Sequence, residues 1–147
     1  DLGSSDGNQD PKVAGYIEAI QEALSGSGLS KELSPTWVPA GFETAGPEAL
    51  VNDLGATVNC LFQDKSGVFF SIRITEYASP EDLALFTFEK DNYQVEEYIS
   101  NQRNFYILSN LDNNTATWSD GSSILISITG SISLKDTKAI IDSIGGN

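Results

Sequence analysis

The chain contains no histidine. That removes the commonest general base, the Ser-His and Cys-His nucleophile arrangements and the commonest zinc ligand. A single cysteine, Cys60, allows neither an intrachain disulfide nor a thiolate cluster, and it does not report the compartment. Basic side chains are scarce: eight Lys and Arg against 21 Asp and Glu give a formal net charge of −13. Nucleic-acid binding, which needs a concentrated positive surface, is not expected. Adsorption to anionic lipid is disfavoured for the same reason. No apolar run approaches the roughly 18 residues of a membrane span. Also missing are a signal-peptide pattern, a glycine-rich phosphate cradle and a serine-nucleophile motif. No cofactor is implied.

The 147 residues are 39% hydrophobic and 10% aromatic, enough for one domain with a real core and no disulfide staples. Residues 1–10 are polar and Gly/Ser-rich and read as a flexible tether, residues 11–28 as an N-terminal helix, and residues 29–147 as a single domain. The acidity supports solubility and self-repulsion, so a monomer is the expected state.

Asp10-Pro11 opens the first helix as cap and first-turn proline. Val13, Ile17, Ile20 and Leu24 recur at helical spacing, and Gly26 and Gly28 end it. Either the helix packs on the domain or it forms a separate stalk. Two prolines in the segment 33–42 favour an extended path that turns at Ala40-Gly41. Strand-like pieces follow at 42–44, 49–53, 57–63 and 68–76. A three-residue loop, Lys65-Ser66-Gly67, sets Phe62 against Phe70, Cys60 against Ile72 and Val58 against Ile74, all on one face. Cys60 is then a small core residue. Ser79-Pro80-Glu81-Asp82 starts a short helix. Hairpins follow at 93–109, turning near Asn101-Gln102, and at 113–129. In the last, Ile124, Ile126 and Ile128 share one face, and Trp118, set across from Ser123, shares the opposite face with Leu125. Ser133 caps a final helix with Leu134, Ile140, Ile141 and Ile144 on its apolar side. The fold class is α+β: a twisted, largely antiparallel sheet packed by an N-terminal, a short middle and a C-terminal helix.

Most polar clusters have simple structural explanations. Asp6, Asn8 and Asp10 are spaced like the start of a calcium loop, but Pro11 and Ile17 stand where Gly and Glu are required. Asp112, Asn114 and Asp120 suit turn chemistry. Glu96 and Glu97 are adjacent on a strand and point to opposite faces; Glu81 and Asp82 suit a helix N-terminus. Asn113-x-Thr115 fits a glycosylation pattern common by chance. The remaining constellation is the second sheet face: Leu61, Phe69, Tyr106, Trp118 and Leu125, joined by Leu108. A sheet packed on one side should be polar on the other. Either the chain's own helix or opening segment covers these side chains, or they form an apolar groove for a lipid, peptide or protein.

The segments L-S-P-T-W-V-P-A-G-F (33–42) and T-W-S-D-G-S-S-I-L-I-S-I-T-G-S-I-S-L-K-D-T-K-A-I-I-D-S-I (117–144) resemble a bacterial domain-of-unknown-function family. That family opens on P-x-Y-L-P-x-G-F and closes on a W-x-(D/N)-G hairpin, a strand and a terminal helix. Trp37 stands where the family usually has Tyr. The resemblance implies an extracytoplasmic module at the C-terminus of a membrane-anchored, anti-sigma-factor-like protein of Gram-positive bacteria, with no catalytic residues to carry over. The expected function is therefore a non-enzymatic sensing or protein-interaction module facing a cell-envelope protein. A small apolar ligand carrier using the second sheet face is the alternative, and a carboxylate-based hydrolase is the third reading.

Overall fold

The computed structural model describes residues 11–79, 94–110, 113–121 and 123–144. Helix α1, Pro11–Gly26, lays Val13, Ile17, Ile20 and Leu24 into the core, each at most 7% exposed. Its cap, Asp10, lies outside the described residues. The helix stops in a left-handed glycine cap. Gly28 has φ +84°, its amide donates to the Ser25 carbonyl at 3.2 Å, and the Leu29 amide donates to the Leu24 carbonyl at 2.8 Å. Leu24 and Leu29 are both buried, which completes the motif with its usual apolar contact.

Seven strands form one sheet among the described residues: β1 (Glu48–Asn52), β2 (Gly55–Gln63), β3 (Phe69–Tyr77), β4 (Gln94–Ser100), β5 (Arg103–Asn110), β6 (Asn113–Ser119) and β7 (Ile124–Gly130). Their order is β1-β2-β3-β7-β6-β5-β4, with every neighbouring pair antiparallel. The chain passes from β3 in the middle to β4 at the far edge and returns through three hairpins to β7. Helix α2, Leu134–Asp142, follows; the Asp136 amide donates to the Ser133 hydroxyl at 3.0 Å, so Ser133 is its cap. The architecture is α+β, as the pattern of elements implied. The expected helix beginning at Ser79 falls mostly outside the described residues.

Both helices pack on the same sheet face. That face carries Val58, Cys60 and Phe62 of β2, Phe70, Ile72 and Ile74 of β3, Phe105 and Ile107 of β5, Ala116 of β6, and Ile126 and Ile128 of β7, all at most 1% exposed. The Tyr16 ring of α1 meets Phe62 edge-on at 5.6 Å, and Phe62 stacks on Phe70 at 4.7 Å. Ile140, Ile141 and Ile144 fill the other end. Each such aliphatic side chain contributes about 1.5–3 kcal/mol by leaving water. The β2–β3 register is the one the alternation required: Phe62 opposite Phe70, Cys60 opposite Ile72, Val58 opposite Ile74. Gly67 takes φ +96° in the connecting loop.

The opening segment does not cross the second face. Leu33 and Val38 are buried with the core, and the chain is pinned to the end of α2. The Ser143 hydroxyl accepts from the Thr36 amide at 3.0 Å and the Trp37 amide at 3.2 Å, and donates to the Ile140 carbonyl at 2.7 Å. The Thr36 hydroxyl donates to the Ser143 carbonyl at 2.8 Å. The segments 33–42 and 117–144, far apart in sequence, thus meet in space.

Candidate functional site

The second sheet face was the sequence's candidate surface, and neither described helix covers it. Leu61 and Phe69 lie there as expected, 53% and 39% exposed. They sit on adjacent strands, Leu61 opposite Ser71 and Phe69 opposite Gln63, so they are diagonal neighbours. Leu125 and Tyr106 also point to this face but elsewhere on it. Leu125 continues the row Leu50, Thr57, Thr75, while Tyr106 lies in the row Asn59, Arg73, Ser127, Thr117, which runs on to Glu97 of β4. Leu108 lies in a third row through Leu61, Ser71, Thr129 and Thr115, which ends at Val95 of β4. Ser and Thr therefore separate the apolar side chains, and the five candidates do not form one patch.

Trp118 is a correction. It pairs with Ile126, not with Ser123, and so lies on the helix-covered face. The cause is the loop. Asp120 and Ile124 close it, with the Asp120 amide donating to the Ile124 carbonyl at 3.1 Å. The Asp120 carboxylate accepts the Ser123 and Ile124 amides at 2.9 and 3.0 Å. The expected register was three residues off, and an odd slip exchanges faces. Trp118 packs instead under the Arg103 guanidinium, 4.9 Å from its ring centre. Arg103 also donates to the Ile144 carbonyl at 3.4 Å.

The feature that sequence reasoning passed over is the edge formed by β1 and β2. Leu50, Val51 and Leu54 are 62%, 63% and 65% exposed, and all of β1 is exposed. Beside it, the outer ladder of β2 is interrupted. Glu43 bridges Gln63 and Glu48 pairs with Asn59, while residues 44–47 bow away from β2 between them. The gap is a cleft of about 570 Å³, with Leu61 among Glu43, Glu48, Asn59, Gln63 and Asp64. Lys65 also lines it. The signal was present in E-A-L-V-N, a strand apolar on both faces, which has no strand beyond it among the described residues.

The titrating groups near this edge hold structure. Partial desolvation pushes the Asp64 carboxyl up. The hydrogen bonds from the Ser66 hydroxyl and the Val68, Ser66 and Gly67 amides outweigh it and hold the group below its ordinary value. Burial pushes the Cys60 thiol up, opposed by its contact with the Thr44 hydroxyl at 3.4 Å. At the opposite end of the sheet, burial and the Asp142 carboxylate raise the Tyr98 phenol, which donates to Asp142 at 2.8 Å. The Ser100 hydroxyl donates to the same carboxylate at 2.7 Å, and Lys138 meets Glu96 at 2.7 Å, fastening α2 to β4. Glu96 pairs with Ile107 and Glu97 with Tyr106, on opposite faces. Asp6, Asn8, Asp10, Glu81, Asp82 and Asp112 lie outside the described residues. Among the described residues, no three His, Cys, Asp or Glu side chains gather as a metal site, and no helix is long and apolar enough to cross a membrane.

A family described as a domain of unknown function (DUF4367) matches residues 32–144. The chain belongs to this family. The matched region starts within the 3-10 turn Lys31–Leu33 and ends at Ile144, so the DUF4367 domain comprises the whole sheet and α2 while α1 precedes it. Its two ends are the ones that Ser143 ties together. No curated protein matches the chain.

Proposed function

We propose that this DUF4367 protein is a non-enzymatic binding module, working outside the cytoplasm in sensing or protein interaction. Its contact surface is the β1–β2 edge together with Leu61 and Phe69. The observation that carries the reading is the concentration of exposed large apolar side chains there: Leu50, Val51, Leu54 and Leu61 are each more than half exposed. Apolar surface rimmed by polar groups marks contact sites. The Asp64 carboxylate beside it supports binding rather than proton transfer. Asp64 is held low by turn hydrogen bonds, the reverse of what a general acid needs. Placement outside the cytoplasm, in a membrane-anchored, anti-sigma-factor-like protein, rests on the resemblance of residues 33–42 and 117–144 alone.

A photo-crosslinking residue at Leu54, with a control at the exposed Glu22 of α1, tests the reading on a cell-envelope protein fraction. A saturable adduct from position 54, competed by unlabelled domain and missing from position 22, is expected. Equal labelling from both positions, or none, contradicts it.

A second reading, a carrier for a small apolar ligand, draws on the same cleft, because Leu61 lines a volume of about 570 Å³. The walls weigh against it, since an apolar occupant would strip water from Glu43, Glu48, Asn59, Gln63 and Asp64. Saturable binding of a fluorescent fatty acid, abolished by Leu61→Asn, would favour the carrier.

A further inference from the structure

We infer that the free edge of β1 docks an extended, basic peptide segment of a partner protein, which pairs with β1 as an added strand. This rests on the interaction-module reading and names its site and the partner's chemistry. Glu43 and Gln63 exchange both backbone hydrogen bonds at 3.0 Å, so the Gln63 amide and carbonyl point away from β3. Alternation along β2 aims Leu61, Asn59, Thr57 and Gly55 the same way. Glu48, Leu50 and Asn52 face these last three and bond inward, while the amides and carbonyls of Ala49 and Val51 point outward. Every residue of β1 is exposed.

Natural sheet edges are blunted with lysine, proline, bulges or a covering element. Within Glu48–Asn52 there is no lysine, proline or bulge, and the register to β2 is continuous. The other edge is managed differently: β4 carries Glu96, tied to Lys138 of α2 at 2.7 Å. On β1, Leu50 and Val51 project to opposite faces at 62% and 63% exposure, so an added strand gains apolar contact on both sides.

Charge complementarity selects the occupant. Glu48 opens the strand and Asp53 follows it, with Asp64 across the cleft. Lys65 lines the cleft, and Lys12 stands 3.6 Å from Glu43 with both side chains largely exposed. The edge is thus predominantly negative, and lysines or arginines at the ends of an incoming strand meet it favourably. A second copy would bring another net −13 against the same acidic edge.

The test uses the full chain and a ten-residue probe peptide alternating lysine with valine and threonine, compared with its glutamate-for-lysine counterpart. Amide hydrogen exchange is followed residue by residue. The lysine peptide should slow exchange at Ala49 and Val51 at least tenfold and leave Leu50 little changed; the glutamate peptide should not. Val51→Pro removes an outward donor without touching a β1–β2 bond, and should weaken binding at least tenfold, whereas Glu48→Gln should weaken it a few-fold and flatten its salt dependence. Protection elsewhere on the sheet overturns the β1 site while sparing the interaction-module reading. Binding unaffected by Val51→Pro shows charge attraction alone and overturns strand pairing. Protection of Ala49 and Val51 that appears without peptide and grows with protein concentration makes a second copy the occupant, and no protection at all also overturns the inference.

Discussion

Gly130→Ala should destabilise the domain although it adds only one methyl group. Gly130 ends β7, buried between Phe70 of β3 and Asn114 of β6. A Cβ there would lie 2.5 Å from both the Phe70 Cα and Cβ, and closer still to the Phe69 carbonyl oxygen. These atoms belong to the interior strand β3, whose Phe69 carbonyl also accepts the Ser131 amide at 2.8 Å. Relief therefore requires β3 and β7 to part locally. Overpacking of this kind costs about 1–3 kcal/mol. Weakening the Ser131 bond adds about 1 kcal/mol. Reduced freedom of the unfolded chain returns about 0.4–1 kcal/mol. The net loss is about 1–3.5 kcal/mol, which for a domain of this size lowers Tm by about 2–4 °C per kcal/mol. Urea denaturation followed by tryptophan fluorescence measures it. A midpoint within error of the parent protein would refute the close approach of β3 and β7 at this position.

Other outcomes follow from the same contacts. Asn101 and Gln102 turn the β4–β5 hairpin with φ +52° and +70°. Gln102→Gly relieves a left-handed non-glycine residue and should stabilise by about 1 kcal/mol in urea denaturation, while a loss of stability would contradict the turn. The Cys60 thiol, buried and pushed up, should react with iodoacetamide only as fast as the domain unfolds; rapid alkylation of native protein would contradict its burial. Asp64→Asn removes a charge held below its free value of 3.8. The ionised form is favoured on folding, so its stabilisation is full above pH 3.8 and lost as pH falls through the lower folded value. Denaturation curves of the two proteins should therefore converge in acid, and a constant gap would contradict the sign.

The parts of the fold legible in sequence were those where one face is buried and a turn fixes register. In β2–β3, six apolar side chains and Gly67 agree on one pairing. The stripe of α1 is equally plain, since a residue every three or four places has only one face to show. The last hairpin misled because Asp120-Gly121 resembles a tight two-residue turn. Its closing pair is Asp120 and Ile124, and the Asp64–Val68 loop uses the same device: an aspartate side chain accepting amides two to four residues on. That recurrence was readable, and it would have placed Trp118 correctly. The β1 edge was harder, because whether a strand apolar on both faces has an outer neighbour depends on sheet order, which pairing patterns alone do not set.

The most direct test of the account is amide exchange along β1 in the free protein. Ala49 and Val51 should exchange at nearly unprotected rates while Leu50, between them and bonded to β2, is slowed. Protection of all three alike would mean that the edge is already paired or covered, and the contact surface would have to be sought elsewhere.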